Sequence, residues 1–227
     1  MQVQDPLGVE DAILARRSVR GFLDREVPPE LLKELALTSA RAATGGNIQP
    51  WHVDIVHGDS MARLKAIMAG KIERRETETP GYDIYPREMD DRYRQRTFAI
   101  GEEMYGRLGI PREDKKARAI WFARNFQFFG APAAYFVTVD RRMGPPQWSD
   151  LGMYLQNLML LAVEHGLATC PQECWAVYPK TVEAFLDVPD ERMLFCGVAI
   201  GYEDADDPAN LTRSARAPEE EWLRVLA

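Results

Sequence analysis

The sequence predicts an α+β fold, a sandwich of helices around one small sheet. Predicted strands are few and predicted helices are many, and they lack the regular strand–helix alternation that builds a parallel sheet. The apolar run over 131–140 is nearly continuous, which is typical of a buried strand. The 227 residues fit one large domain or two small ones, and no repeat or low-complexity segment divides them. We expect a single domain over 1–227.

The N-terminal part of the chain predicts two helices, a strand and a third helix, in that order. A short amphipathic helix over 9–17 closes in a basic run. Pro28 and Pro29 suit the start of a second helix, which Gly45 stops. Residues 49–57 alternate in polarity as a strand does, and Ser60 is placed to cap the helix that follows.

Two polar stretches interrupt or follow this framework. Residues 71–124 carry dense mixed charge with interspersed aromatics, which predicts an insertion of one or two surface helices. Residues 203–227 form a C-terminal extension that is polar and irregular in its first part.

The most clearly predicted helix begins at a cap on Ser149 or Asp150 and ends at Gly166. It is apolar around most of its circumference, so it must be buried in the core or in a subunit interface. A short helix over 179–186 and a strand over 194–201 complete the set.

Charge and cysteine content narrow the class of protein. The net charge is −7, from 28 basic and 35 acidic residues, so the field of the whole chain repels polyanions and small molecules are favoured over nucleic acid as partners. Cys170, Cys174 and Cys196 are too few for a disulfide framework and predict buried thiols in a cytoplasmic protein. The sequence shows no signal segment and no run of roughly 18 apolar residues. Neither secretion nor a membrane span is therefore indicated.

Several common catalytic motifs are absent from the sequence. There is no glycine-rich dinucleotide fingerprint, P-loop, zincin helix or nucleophile elbow. His52, His57 and His165 lack the spacing of metal ligands, so we expect no metal site.

The basic run 16–20 is the first candidate site. In an extended segment, Arg16, Ser18 and Arg20 point to one side and offer two guanidinium groups and a hydroxyl, which suits a phosphate. Taken alone, the run could equally be a solvated helix end whose cations complement the helix dipole.

A glycine-rich turn over 44–51 is the second candidate. Its glycines allow backbone amides to approach a ligand, and Asn47 and Gln49 both donate and accept hydrogen bonds, although a plain loop has the same composition. The third candidate is the pair Arg213 and Arg216 in an otherwise acidic tail. If the tail folds back beside the basic run 16–20, the two ends of the chain form one cationic pocket.

Four motifs in this order resemble the FMN-dependent nitroreductase family. They are ARRSVRGF at 15–22, GGNIQPW at 45–51, GLATCPQE at 166–173 and RSARAP at 213–218. The resemblance extends from about Ile13 to Pro218 and is strongest to the branch that includes nitrobenzoate reductases. It implies a nitroreductase-like three-layer α/β/α sandwich with a small mixed sheet, assembled as an intertwined homodimer with two FMN sites in the interface.

The resemblance also implies which residues bind FMN. They are Arg16, Arg17, Ser18, Arg20, Gly45, Gly46, Asn47, Gln49, Asn125, Pro171, Gln172, Glu173, Arg213 and Arg216. Residues 45–49 would come from the other subunit. Glu173 would act through its backbone N–H, near N5 of the flavin, so no catalytic side chain is expected beyond the flavin itself.

The implied activity is NAD(P)H-dependent reduction of nitroaromatic or quinone-like electrophiles by a ping-pong mechanism. The resemblance also implies that the insertion 71–124 is a helical lid that shapes the substrate pocket, since loops on a fixed scaffold are the usual seat of specificity. Thr44 and three tyrosines of this lid, Tyr82, Tyr85 and Tyr105, are candidate substrate contacts, although the tyrosines could equally be packing aromatics. Two alternatives stay open: reductive dehalogenation or other flavin chemistry on the same fold, and a flavin-binding protein without catalysis.

Overall fold

The structure is a computed structural model that describes residues 7–226. Residues 1–6, part of the N-terminus over which no signal segment is expected, lie outside the described residues. The described chain holds seven α-helices: α1 Val9–Ala15, α2 Pro29–Ser39, α3 Gly58–Glu73, α4 Asp91–Arg107, α5 Lys115–Ala123, α6 Pro145–Glu164 and α7 Pro179–Phe185. Its four strands are β1 His52–His57, β2 Ala133–Asp140, β3 Ala168–Gln172 and β4 Arg192–Gly201. The predicted α+β class is confirmed.

The four strands form one sheet in the order β1-β2-β4-β3. All three strand pairings are antiparallel, with His52 opposite Thr138, Tyr135 opposite Val198 and Thr169 opposite Ile200. The predicted mixed sheet is therefore antiparallel in its named strands. Its parallel part is one isolated bridge between Ser18 and Thr169, because the segment after α1 touches β3 over too few residues to become a strand.

Both faces of the sheet are covered, which gives the predicted three layers. The central strand β2 is buried along nearly its whole length, as its continuous apolar run predicts. Phe136 faces a cluster built with α3 and the fully buried Trp175, whereas Tyr135 faces a cluster built with α2 and α6. The sheet thus packs against other elements on both of its faces, and the chain ends and loops are attached to it.

Three predicted boundaries are wrong. The long helix α6 begins at Pro145, because the Pro145–Pro146 pair suits a first helical turn better than the later cap positions do. Ser60 is not the cap of α3 but lies in its first turn, where its hydroxyl accepts a hydrogen bond from the His57 N–H at 3.2 Å. The second helix ends at Ser39, well before Gly45.

The remaining elements agree with the sequence more closely. The insertion 71–124 contains two surface helices, α4 and α5, as predicted. Strand β3 was not predicted as a strand, since Pro171 interrupts a short run.

Cys170 and Cys196 are buried free thiols, and burial raises the pKa of Cys196 to about 12. Within residues 7–226, no helix combines the length and the apolar character needed to cross a lipid bilayer.

Candidate functional site

A pocket of about 400 Å³ lies where the two ends of the chain meet. Its wall contains all six basic or hydroxyl residues that the sequence marks at the two chain ends: Arg16, Arg17, Ser18, Arg20, Arg213 and Arg216. The C-terminal tail therefore does fold back beside the basic run after α1. We call this cavity the arginine pocket.

The direction of the basic run 16–20 is set by a hydrogen bond to strand β3. Helix α1 ends at Ala15, and the buried Val19 donates its N–H to the Thr169 carbonyl at 2.9 Å. With Val19 held against the sheet, its neighbours Ser18 and Arg20 alternate away from it, toward the cavity. This is the extended geometry that lets alternate residues share one side.

The tail is fixed to the N-terminal segment by Asn210. Its side chain is only 2% exposed, accepts the Arg20 N–H at 2.7 Å, and donates to the carbonyls of Gly21 at 2.9 Å and Asp204 at 2.8 Å. Arg213 in turn donates to the Asn210 carbonyl at 2.8 Å. One buried carboxamide therefore holds the two chain ends together below the arginine pocket.

Four arginines of the pocket carry uncompensated charge. Among residues 7–226, no carboxylate oxygen lies within 4 Å of the guanidinium groups of Arg16, Arg20, Arg213 or Arg216. Burial, and then the charge of Arg216, lowers the pKa of Arg16. The hydroxyl of Thr212 in the same wall is buried without a partner. Such a donor set suits an anion with several acceptor oxygens, such as a phosphate monoester.

Arg17 differs from the other arginines. Its guanidinium forms an ion pair with Glu203, and its Nε is buried without a partner. The charge of Arg17 is therefore already compensated, and its side chain ties the basic run to the start of the tail.

A second group of predicted residues meets at the end of β3. Gln172 is 2% exposed, and its Nε2 donates to the Asn125 main-chain carbonyl at 2.8 Å and to the Asn125 side-chain oxygen at 3.3 Å. The side chain of Gln172 thus holds Asn125 in place. Pro171, half-buried, pairs with Val198 on β4.

Glu173 begins the short 3₁₀ segment Glu173–Val177. Since the first N–H groups of a helix have no partner inside the helix, its main-chain donor is available to a neighbouring acceptor. The side chain reaches the surface, but nearby protein atoms partly desolvate the carboxyl group and raise its pKa. Burial raises the pKa of Cys170 on β3, and the opposing effect of Arg20 places that guanidinium near the same strand.

The glycine-rich turn lies elsewhere on this chain. The Gly45 N–H points to the buried Asp150 carboxylate at 3.4 Å, and the Gln49 side chain donates to the Asn47 side-chain oxygen at 3.0 Å. Gly46 has a φ of 60°, which favours glycine. No residue of this turn lines the arginine pocket, so one chain alone does not bring these predicted site residues together.

The candidate substrate contacts have separate surroundings. The Tyr82 hydroxyl donates to the Phe195 carbonyl, and Tyr105 packs against the core with the Arg118 guanidinium 4.3 Å from its ring centre. Tyr85 is exposed, and the Thr44 hydroxyl accepts a weak bond from the Gln49 N–H at 3.4 Å. None of these four side chains lines the arginine pocket.

Sequence reasoning missed three residues of this region. Thr212 directly precedes Arg213 in the sequence, so its position beside a predicted anion-binding residue could have identified it as part of the site. Ile100 lines the pocket from α4, and Asn210 joins the two chain ends, but nothing in the local sequence marks either of them.

A three-layer α+β fold with an arginine pocket at its joined termini defines a protein with a site suited to a small phosphorylated ligand. The family is established by comparison with known proteins. The model of the nitroreductase family matches residues 13–202, and the chain belongs to that family.

Individual relatives agree over nearly the whole length of the chain. A 4-nitrobenzoate reductase of Nocardioides sp. (strain LMS-CY) is 33% identical over 95% of this chain and 89% of its own, and that of Pseudomonas putida is 33% identical over 91% and 90%. Among solved structures, the FMN- and NADPH-dependent nitroreductase NfnB of Sphigopyxis sp. strain HMH is 44% identical, with a TM-score of 0.93 over 97% of this chain and 100% of that one. NfnB of Mycobacterium smegmatis in complex with NADPH is 30% identical, with a TM-score of 0.91 over 96% and 97%.

Proposed function

We propose that two copies of this chain form a dimer that holds one FMN at each of two interface sites and uses NAD(P)H to reduce nitroaromatic or quinone-like compounds. The observation that carries the proposal is the arginine pocket, with four uncompensated guanidinium groups drawn from both ends of the chain. Its family membership and the FMN- and NADPH-dependent relatives support the same assignment.

The residues present fit FMN. Arg16, Arg213 and Arg216 would hold the phosphate together with the Ser18 hydroxyl, because charge-assisted bonds to a phosphate are the strongest that such a wall can offer. Arg20 would reach the pyrimidine edge of the flavin, since its guanidinium lies near β3. A cation at that edge favours the reduced flavin, whose ring carries negative charge there.

The end of β3 would supply the second set of contacts. The Asn125 carboxamide, held by Gln172, would pair with the pyrimidine ring, and the Glu173 N–H would face N5. FMN, when bound, takes electrons from NAD(P)H and passes them to the oxidising substrate. The protein then has only to orient the ring and leave one face open to both substrates in turn, which agrees with a ping-pong order.

A dimer accounts for the glycine-rich turn. Within one chain, no residue of this turn lines the arginine pocket. This arrangement is expected if Gly45, Gly46, Asn47 and Gln49 complete the site of the partner subunit. Large apolar side chains on two helices are exposed as well: Val9 and Leu14 on α1 are 72% and 76% exposed, and Met153 on α6 is 40% exposed. Exposed large apolar side chains of this kind are typical of an interface.

The substrate class follows from the relatives and from the lid. Relatives named as 4-nitrobenzoate reductases cover this chain almost fully, and the lid region 71–124 supplies Tyr82, which lies near Glu173. We also propose a cytoplasmic location, which the three free cysteines support and cell fractionation tests.

Reconstitution with FMN tests the proposed function. Purified protein is mixed with FMN, desalted, and reduced anaerobically with NADH or NADPH, and 4-nitrobenzoate is then added. We expect a retained yellow chromophore that the nicotinamide bleaches and the nitro compound restores. Protein that retains no FMN contradicts every flavin assignment, and retained FMN that neither nicotinamide bleaches indicates a flavin-binding protein without this activity.

A further inference from the structure

Residues 76–82, which we call the strap, follow α3 within the lid region 71–124 and are hydrogen-bonded to the segment that follows Glu173. The strap has no regular secondary structure. Its Gly81 N–H donates to the Ala176 carbonyl at 2.9 Å, and the Tyr178 hydroxyl donates to the Glu76 carbonyl at 3.0 Å. Both bonds join the strap to the 3₁₀ segment Glu173–Val177 or to the residue directly after it.

A buried carboxylate adds a third tie. The Glu78 side chain is 8% exposed, accepts the Thr181 N–H at 3.2 Å and the Thr181 hydroxyl, and lies 3.3 Å from Lys71 Nζ. Burial acts to raise the pKa of Glu78, but the bonds from Thr181 and Lys71 outweigh it and lower the pKa. A carboxylate removed from water keeps its charge only with such partners, so this contact is strongly defined.

Tyr82 forms the last tie, to strand β4. Its hydroxyl donates to the Phe195 carbonyl on β4, and its ring meets the Trp148 ring edge-on at 5.2 Å. Burial, together with nearby groups that include the Glu173 carboxylate, raises the pKa of Tyr82 well above its usual range. The hydroxyl is therefore occupied in a structural bond beside Glu173.

We propose that the strap positions the segment Glu173–Val177, and with it the Glu173 main-chain N–H, against the flavin, with Tyr82 and Glu78 as positioning residues. The proposal rests on the proposed function, which places that N–H at flavin N5. A five-residue 3₁₀ segment has few internal bonds, so its position depends on outside contacts. Because the strap leads on to the two helices of the lid region, α4 and α5, a movement of these helices would reach the reacting end of the flavin through it.

Two substitutions and one control test the strap. Tyr82→Phe removes the hydroxyl and keeps the ring packed on Trp148, and Glu78→Gln removes the buried charge that faces Thr181 and Lys71. Tyr93→Phe is the control, because Tyr93 is an exposed tyrosine on α4 with no hydrogen bond from its hydroxyl within the described residues. Circular dichroism and thermal unfolding establish that each variant is folded.

The first measurement is amide hydrogen exchange of the flavin-free and FMN-loaded proteins. We expect exchange over residues 173–178 to be about fivefold faster in both strap variants, and unchanged in Tyr93→Phe. The second is the rate of flavin bleaching at saturating NADPH. We expect it to fall about fivefold in both strap variants without a matching change in the NADPH concentration that gives half the maximal rate, because misplacement slows the reacting geometry rather than binding.

The outcomes separate this proposal from the proposed function. Wild-type exchange over 173–178 in either strap variant contradicts the strap even if FMN chemistry is confirmed. A slow Tyr82→Phe beside a wild-type rate in Glu78→Gln contradicts it too, since that pattern indicates a direct contact of Tyr82 with substrate. If the wild-type protein holds FMN but NADPH does not bleach it, the proposed function fails, while the exchange measurement still decides whether the strap holds the segment.

Discussion

Arg16 and Arg216 lie in the wall of one pocket, although they come from opposite ends of the chain, and burial together with the charge of Arg216 lowers the pKa of Arg16. Neither guanidinium has a carboxylate within 4 Å in the described part of the chain. Two cations held together without an anion destabilise each other, and a bound phosphate removes that penalty. This relationship leads to the first prediction.

Arg16→Ala should weaken FMN binding by a factor of about 10 to 100, because it removes a charge-assisted bond to the phosphate. Arg112→Ala is the matched control, since Arg112 is exposed and its guanidinium lies 4.8 Å from the ring centre of Phe98, away from the arginine pocket. Fluorescence titration of FMN measures both dissociation constants. Equal affinities in the two variants would count against the proposed phosphate site.

A mixed dimer should recover activity that each parent variant lacks. Arg16→Ala damages the arginine pocket, and Gly46→Val damages the turn, because a β-branched residue is strained at a φ of 60°. If each site combines the pocket of one subunit with the turn of the other, one site of every mixed dimer is intact. Random mixing then gives about 25% of wild-type activity.

This complementation is measured after the two variants are unfolded together and refolded, with each variant refolded alone as the control. Activity no higher than the average of the two parents would show that pocket and turn act within the same subunit, or that no such shared site exists.

Asn210→Ala should destabilise the protein more than its place in a polar tail suggests. The side chain is buried and makes three hydrogen bonds, of which those with Arg20 and Gly21 join the tail to the N-terminal segment and that to Asp204 lies within the tail. Its loss leaves those partners unsatisfied, and we expect the free energy of unfolding to fall by about 2–4 kcal/mol. Denaturant unfolding measures this, with the exposed Thr79→Ala as the control. Similar values for the two variants would mean that Asn210 does not hold the chain ends together.

Glu173→Gln should change the dependence of stability on pH. The folded-state pKa of Glu173 is raised by partial burial, so the folded protein binds the proton more tightly than the unfolded chain does. The resulting penalty on folding is absent below the unfolded pKa and is complete above the folded pKa. The variant lacks this penalty, and we expect it to be more stable than wild type at pH 7 but not at pH 4. A stability difference that is the same at both pH values would contradict this.

The elements with a strong local signal were predicted well from the sequence. The continuous apolar run gave strand β2, and mixed charge with interspersed aromatics gave the two helices of the insertion. The start of α6 was misplaced because Ser149 and Asp150 are ordinary cap residues, whereas the Pro145–Pro146 pair decides where the helix begins. Strand β3 was missed because it is defined by its long-range pairing with β4. Its own short run contains Pro171 and carries no local strand signal.

The residues of the candidate site also divide into those with a local sequence signal and those without one. Arginines and glycines at defined spacings marked the pocket and the turn, since the chemistry of a phosphate site needs those residue types. The joining role of Asn210 and the occupied side chain of Gln172 depend on partners far away in sequence, so no local pattern reports them. The sequence therefore names the groups that carry charge, and the fold decides which of them remain free for a ligand.

The most direct test of the arginine pocket compares FMN with riboflavin, which lacks the phosphate, in the wild-type protein and in Arg16→Ala. Titration of the flavin-free proteins gives four dissociation constants. We expect the wild type to bind FMN about 100-fold more tightly than riboflavin, and Arg16→Ala to lose most of that preference while its affinity for riboflavin stays the same. An Arg16→Ala variant that keeps the full preference for FMN would contradict the central claim that this pocket binds the phosphate.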